Sequence, residues 1–297
     1  MKEKVMTRRK FLKDTSAAAI AGTLYLNSPV KMYAQENKKS RVVVIRNENL
    51  LDKLNKPDET IVQKMLDQAI TILLDEKDIN RAWGKLIKPD DIVGIKTNVW
   101  KNLATPVEIE RYLKNNIIKA GVAEKNISID DRGLLSNPIF LNATALINVR
   151  PMRTHHWSGV GGLLKNPIMF TPKPYSYHDD SCADLAKIWE LPLVKGKVRL
   201  NILVLFTPLF HGIGPHHFNP QYIWPYQGML VGFDPVAVDS IGVRILQAKR
   251  KEFFKEDRPL NPPAKHIFLA DSRHHLGTAD LEKIELIKLG WKEGILI

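Results

Sequence analysis

Two histidines, three glycines and a lysine lie close together in THHWSGVGGLLKN, residues 154–166. An imidazole can act as a general acid or base near neutral pH or as a metal ligand. Glycines let backbone N–H groups approach a ligand closely, and a following lysine can bind a phosphate or carboxylate. The segment therefore predicts a ligand or cofactor loop, with His155 as the acid–base or ligating residue and Lys165 as the anion-binding residue. A glycine turn with a surface lysine is the alternative, because the residue order of a P-loop is absent.

A second group of candidate side chains lies in YHDD (177–180) and HGIGPHH (211–217). Two glycines and a proline fold the second segment tightly, so its histidines could converge with the acids of the first. A mixed His and Asp site suits a divalent transition metal such as zinc, iron, manganese or nickel. Surface loop residues are the alternative interpretation. The predicted metal ligands are His178, Asp180, His211 and His216.

Strand-like and helix-like segments alternate along the chain and predict the scaffold that positions these groups. We expect an α/β fold with a mostly parallel sheet flanked by helices and with loop-rich insertions near 165–196 and 209–227. Strands are predicted at 41–47, 90–98, 127–133, 144–150, 199–210, 228–234, 266–271 and 283–290, and helices at 59–75, 105–119 and 234–250. Ligands bind beyond the carboxyl ends of such strands. The polar residues predicted at those ends are Lys96, Asn98, Asp130, Asp131 and Asp271.

The first 34 residues predict an export signal rather than part of the fold. Residues 7–13, TRRKFLK, fit the twin-arginine pattern S/T-R-R-x-F-L-K, and an apolar stretch at 17–26 follows. That stretch is too short to span a bilayer comfortably. Cleavage after Ala34 would place Met32 where a small residue is preferred, so retention as an N-terminal anchor stays open. We expect recognition by the twin-arginine translocase and a periplasmic or membrane-anchored location facing the periplasm.

Composition and net charge limit the kinds of ligand, cofactor and enzyme class that fit this sequence. The formal net charge is +12, of which residues 1–34 contribute +5, so the remaining chain carries about +7. A basic body favours a small anionic ligand, and no nucleic-acid recognition motif accompanies the charge. The single cysteine, Cys182, excludes an internal disulfide framework and an iron–sulfur cluster held by several thiolates. Neither a G-x-S-x-G nor an H-E-x-x-H motif occurs, which removes the serine hydrolase and zincin classes.

The order of three segments resembles the family called domain of unknown function 362. These segments are DIVGIKTN, LINVRPMRTHHWSGVGGLLKN and GMLVGFDPVAVDSIGVRIL, and the resemblance covers roughly residues 41–290. It implies a fold and a map of site residues, while leaving the reaction open. The positions that match the family pattern are Lys96, Asn98, Asn148, Thr154, His155, Gly159, Gly162, Lys165, Asn166, Asp234, Pro235 and Asp239.

Two departures separate this chain from the family pattern. Arg150 and Arg153 replace the usual proline and lysine of the I-N-V-P-x-x-K-T-H motif, although Pro151 lies one place later. The cysteine-rich iron–sulfur modules of many members are also absent. A fainter resemblance is to nickel-pincer lactate racemases, which place a histidine shortly before a G-x-x-G-G-x-K turn whose lysine tethers the cofactor.

Two functions follow as hypotheses. The first is an exported, metal- or cofactor-assisted enzyme acting on a small anionic substrate, in which His155 is the acid–base and Lys96 and Lys165 hold the anion. The second is a binding protein that captures or delivers an anionic ligand without turnover. A bound metal and a shifted His155 pKa would favour the enzyme. The predicted ligand-binding residues are Asn98, Thr154, Gly159, Gly162, Asn166, Asp234 and Asp239, with helix capping as the alternative role of Asp234.

Overall fold

Short apolar runs pair into one mixed sheet of eight strands in the computed structural model of the chain. The strands are β1 Ser40–Arg46, β2 Val93–Lys96, β3 Ile127–Asp130, β4 Ala145–His155, β5 Gly159–Gly161, β6 Val198–Leu209, β7 Gly228–Gly232 and β8 Ile284–Gly290. The structure describes residues 39–212, 214 and 217–297. The predicted signal segment and His216 therefore lie outside the described residues.

The strand order is β3-β2-β4-β6-β7-β1-β8, and β5 pairs with β4. Strand β2 runs parallel to both β3 and β4, β4 runs parallel to β6, and β1 runs parallel to β8. The antiparallel pairs are β6 with β7, β7 with β1, and β4 with β5. The predicted α/β class with a mostly parallel sheet is confirmed.

Helices cover both faces of this sheet. They are α1 Glu59–Leu73, α2 Ile79–Leu86, α3 Val107–Lys119, α4 Pro138–Leu141, α5 Asp179–Cys182, α6 Pro235–Phe254 and α7 Lys265–Ser272. Carboxylates cap three of them, because the side chains of Asp58, Asp78 and Asp234 accept backbone N–H groups of the first turns of α1, α2 and α6. Helix α2 was not among the predicted elements.

Alternation along the strands divides the core into two layers. Val43 and Ile45 of β1 pack in one cluster with residues of α1, α2 and α3, while Val42 and Val44 pack in the other with residues of α6 and α7. Successive side chains of a strand point to opposite faces, so one apolar run supplies both layers. Residues Lys39–Ile297 form one compact unit. No helix in the described part of the chain is long and apolar enough to cross a membrane.

The predicted strand at 266–271 is wrong, because these residues lie in helix α7, Lys265–Ser272. Its buried side chains are His266, Ile267 and Ala270, a spacing that fits one face of a helix. A short apolar run does not separate a strand from a buried helix by periodicity alone. Asp271 accordingly lies near the end of a helix, where its carboxylate accepts the Ala279 N–H at 2.8 Å.

Candidate functional site

A cavity of about 260 Å³ lies beyond the carboxyl ends of β2 and β3 and beside the last residues of β4. This is the edge at which parallel sheets bind ligands. The residues that line the cavity are Asn98, Asp131, Arg132, Arg150, His155, Lys165, Asn166, Ile168, Met169, Pro174 and His178. The structure therefore brings together Asn98, His155, Lys165, Asn166 and His178 from the set predicted by sequence.

The predicted ligand loop is a β-hairpin that extends β4. His155 pairs with Gly159, and Arg153 pairs with Gly161. Gly159 has a φ of +72°, and a Cβ there would lie 2.4 Å from the backbone oxygen of Pro262. Close backbone packing therefore accounts for this glycine, and the hairpin presents His155 to the cavity.

Asp239 on α6 holds the chain that follows the hairpin. Its carboxylate oxygens accept the N–H groups of Leu163 and Leu164, both at 2.8 Å. A Cβ on Gly162 would lie 2.4 Å from Asp239 Oδ1, so the glycine leaves room for this carboxylate. Burial raises the pKa of Asp239 to about 7, against the lowering effect of these hydrogen bonds. Asp239 and Gly162 thus position Lys165 from behind the cavity.

Asn166 ties the same segment to the central strands. Its amide Nδ2 lies 2.8 Å from Asn148 Oδ1, 3.1 Å from the Lys96 oxygen and 3.1 Å from the Val149 oxygen. The chain of amides continues from Asn148 to Asn201, at 2.9 Å. These hydrogen bonds provide partners for polar groups that are buried away from water. They also fix the position of the neighbouring Lys165.

Lys96 is neutralised within the protein. Its ammonium lies 2.5 Å from Asp131 Oδ1 and 2.8 Å from the backbone oxygen of Thr97. Burial lowers the pKa of Lys96 to about 8, opposed by the charge of Asp131. Burial raises the pKa of Asp131, but the charge and hydrogen bond of Lys96, together with the Val99 N–H and the charge of Arg150, outweigh it, so the net shift is downward. Asp131 lines the cavity while Lys96 is the partner behind it.

Three further buried cations, two of which line the cavity, have no carboxylate within 4.0 Å among the described residues. Arg150, Arg153 and Lys165 are each less than 5% exposed. Within the described residues, none forms an ion pair within 4.0 Å, and Arg150 Nε and two nitrogens of Arg153 have no hydrogen-bond partner. Arg153 lies over the Trp100 ring at 4.3 Å. Burial lowers the pKa of both arginines, yet a guanidinium keeps its charge in proteins.

The two arginines were missed as site residues by sequence reasoning. The signal was present, because Arg150 and Arg153 are the positions at which the chain departs from the family pattern. What the pattern could not supply is the burial of both guanidinium groups and the lack, among the described residues, of a carboxylate within 4.0 Å of them.

The amine of Lys165 has an unusual set of neighbours. Its Nζ lies 3.5 Å from the sulfur of Cys182, which is fully buried. The pKa of Lys165 is lowered from 10.5 to about 8. Burial is the main cause, the charges of Arg150 and Arg153 act in the same direction, and Cys182 opposes the shift. A substantial fraction of Lys165 is therefore neutral at mildly alkaline pH.

His155 is neutral at physiological pH. Burial lowers its pKa far below 6.5, and the charges of Lys165, Arg150 and Arg153 add to the shift. Its Nδ1 accepts the N–H of Trp157 at 3.2 Å, which assigns the proton of the neutral ring to Nε2. His155 therefore offers a hydrogen-bond donor, Nε2–H, at the cavity, and the acid–base role stays a prediction.

The three predicted metal ligands that the structure describes, His178, Asp180 and His211, each contact different residues. His178 lines the cavity with its ring centroid 4.0 Å from that of Trp157, while Asp180 pairs with Lys265. His211 Nδ1 lies 3.0 Å from a nitrogen of Arg250. Within the described part of the chain, no group of three or more His, Cys, Asp or Glu side chains is placed to hold a metal ion. His216 lies outside the described residues.

Asp234 connects three elements away from the cavity. Its carboxylate accepts the N–H groups of Val236 at 2.8 Å and Ala237 at 3.0 Å, in the first turn of α6. It also accepts the Ser40 hydroxyl at 2.8 Å and the Thr278 N–H at 2.9 Å. These contacts support the capping role, extended by two long-range hydrogen bonds.

We therefore expect Asp234→Ala to lower the free energy of unfolding by about 2–4 kcal/mol, because a cap and two further charge-assisted hydrogen bonds are lost. Asp58→Ala removes a single side-chain capping bond, from the Ile61 N–H, and is expected to cost about 1 kcal/mol. Urea unfolding of both variants measures the difference. Equal losses in the two variants would contradict the connecting role.

Thr154 and Asn98 complete the predicted set. Thr154 Oγ1 is buried and has no hydrogen-bond partner among the described residues. The Asn98 backbone N–H donates to the Thr105 hydroxyl at 2.9 Å, and its side chain faces the cavity. Both residues supply polar groups around the same edge of the sheet.

Comparison with known proteins gives one finding. Neither a curated protein nor a solved structure matches this chain. The family match covers the stretch from α3 to α6, including the hairpin, Lys165 and Asp239. Residues 114–244 match the family described as Domain of unknown function (DUF362), which supports the placement of this chain in that family.

Proposed function

We propose that this protein is an exported enzyme that binds a small anionic substrate in the cavity beside β4. The observation that carries the proposal is the set of buried cations without close carboxylates: Arg150, Arg153 and Lys165. A buried, unpaired charge is costly, and the cost is offset when a bound anion supplies the missing partner. The twin-arginine motif at 7–13 supports the export part of the proposal.

The size of the cavity favours a small substrate. Sites for drug-sized ligands span about 300–1,000 Å³, and this cavity is about 260 Å³. Arg150 offers a planar guanidinium that suits a carboxylate or a phosphate. The apolar side chains of Ile168 and Met169 line another part of the wall and leave room for a short carbon skeleton.

An enzyme is favoured over a binding protein by the groups that accompany the cations. His155 presents an N–H donor whose charge state does not change near neutral pH, and Lys165 presents an amine with a lowered pKa. A pure anion trap needs only permanent positive charges. Shifted proton affinities at a cavity are instead typical of sites where a proton is moved or a bond is formed.

Calorimetric titration of the full chain with inorganic phosphate and with oxalate tests the anion site. We expect binding by the wild type and a 10- to 100-fold weaker affinity in Arg150→Met, since one hydrogen bond to a charged group contributes about 1.5–3 kcal/mol. Arg111→Met is the matched control, because Arg111 is half exposed, pairs with Glu59 and does not line the cavity. An equal affinity in the Arg150 and Arg111 variants would refute the proposed site.

A further inference from the structure

Lys165 is the least explained buried charge of the cavity. Its side chain is buried and lines the cavity. Within the described residues, its amine has one polar contact, the Cys182 sulfur at 3.5 Å. Lys96 is buried to the same extent but lies 2.5 Å from a carboxylate that compensates its charge. The comparison shows that the Lys165 amine is kept free of an acid partner at a surface that a ligand can reach.

A lysine in this setting is suited to nucleophilic chemistry. Desolvation and nearby positive charge favour the neutral amine, which is the form with a free electron pair. The positive groups that act on this site are Arg150 and Arg153, and Cys182 lies beside the amine. The other titratable groups that interact with Lys165 are His155, His178 and His266.

The groups around Lys165 match two parts of one substrate. Arg150 would bind an anionic group, and the Nε2–H of His155 would donate to an uncharged oxygen acceptor. A carbonyl oxygen is such an acceptor, and a donor that polarises it makes the carbonyl carbon more electrophilic. A small molecule with both a carbonyl and an anionic group therefore satisfies the amine, the donor and the guanidinium together.

We propose that Lys165 forms an imine with a small anionic carbonyl compound, such as a 2-oxo acid or a phosphorylated aldehyde, a substrate class that rests on the proposed anion site. The electron pair of Nζ attacks the carbonyl carbon to form a C–N bond, the carbonyl π bond breaks, and a proton passes from the nitrogen to the oxygen, which gives a carbinolamine. Loss of that oxygen as water from the carbinolamine gives the imine. One amine and one carbonyl yield one imine and one water, so no oxidant or reductant takes part.

Reductive trapping of the full chain tests this inference. The chain is incubated with pyruvate, glyoxylate or phosphoglycolaldehyde in the presence of cyanoborohydride, and intact mass and peptide mapping locate the adduct. We expect one saturable adduct per chain at Lys165 with at least one of these probes. Acetone, which has the carbonyl of pyruvate without its carboxylate, is expected to react at least tenfold more slowly.

Two variants separate charge from nucleophilicity. Lys165→Arg keeps the positive charge, so we expect it to retain phosphate binding and to lose the adduct. Lys173→Met removes an exposed lysine eight residues away and is expected to leave trapping unchanged. In the wild type, the trapping rate should rise with pH around 8, because the neutral fraction of Lys165 increases there.

The outcomes distinguish this inference from the function on which it rests. Phosphate or oxalate binding without an adduct at Lys165 from any of the three probes would overturn the imine and leave the anion site intact. Loss of anion binding as well would overturn both. Adducts confined to exposed lysines, formed equally with acetone, would count as failure of the inference.

Discussion

Asp239→Ala is expected to lower the free energy of unfolding by about 3–5 kcal/mol, one of the two largest effects of a single substitution that the structure predicts. The carboxylate is fully buried and accepts the N–H groups of Leu163 and Leu164. Alanine would leave both donors buried without a partner. It would also remove a negative charge that acts on the buried Arg150.

Chemical unfolding of Asp239→Ala beside Asp239→Asn measures this effect. Asparagine keeps one carbonyl oxygen as an acceptor and resembles the protonated carboxyl, so we expect a smaller loss. Because burial raises the pKa of Asp239 from 3.8 to about 7, the folded chain takes up the proton before the unfolded chain does, so wild type should gain stability relative to Asp239→Asn as the pH falls from about 7 towards 4. A loss below about 0.5 kcal/mol in Asp239→Ala, the usual range for surface positions, would contradict the anchoring role.

Lys165→Met is expected to raise stability while it abolishes anion binding. Methionine fills similar space and removes a buried ammonium that has no carboxylate within the described residues. The fall in pKa from 10.5 to about 8 corresponds to a cost on the order of 3 kcal/mol for the charged form. Removal of that cost makes the variant the more stable protein at neutral pH, as is common when a functional group is deleted.

The stability difference between Lys165→Met and wild type should depend on pH, in a direction set by the lowered pKa of Lys165. A lysine whose folded pKa lies below its unfolded value destabilises the protein fully at pH values below the folded pKa. That penalty disappears as pH rises from about 8 to 10.5, since the folded chain gives up the proton first. Thermal unfolding between pH 6 and 10 should therefore show a higher melting temperature for Lys165→Met than for wild type at pH 6–7. The two melting temperatures should converge above pH 9. A less stable variant throughout would show that the charge is compensated.

The strands and helices that were predicted correctly have strong local sequence signals for their type of secondary structure. Strand β1 is a continuous β-branched run, and α6 begins with Asp234 and Pro235, which suit the cap and the first turn of a helix. The failure at 266–271 has a physical cause. Six residues with four apolar side chains fit either a strand or one buried helix face, and contact of this segment with α6 accompanies the helical form.

The candidate site was predictable only where its residues are close in sequence. His155 and Lys165 lie in one segment, and the hairpin explains why both side chains line the same cavity. Asp131 reaches the same cavity from another strand, and Asp239 supports the segment from 75 residues away. The local sequence around each lysine does not predict that Lys96 is paired with an acid while Lys165 is not. That difference depends on strand order, and it separates a structural lysine from a candidate reactive one.

A crystal structure of the full chain grown with inorganic phosphate, beside a phosphate-free crystal, would show whether the buried cations bind an anion. We expect tetrahedral density in the cavity, within hydrogen-bond distance of Arg150 Nε and of the Lys165 amine. Phosphate found only on surface lysines, with both buried groups paired to protein or water in each crystal, would contradict it.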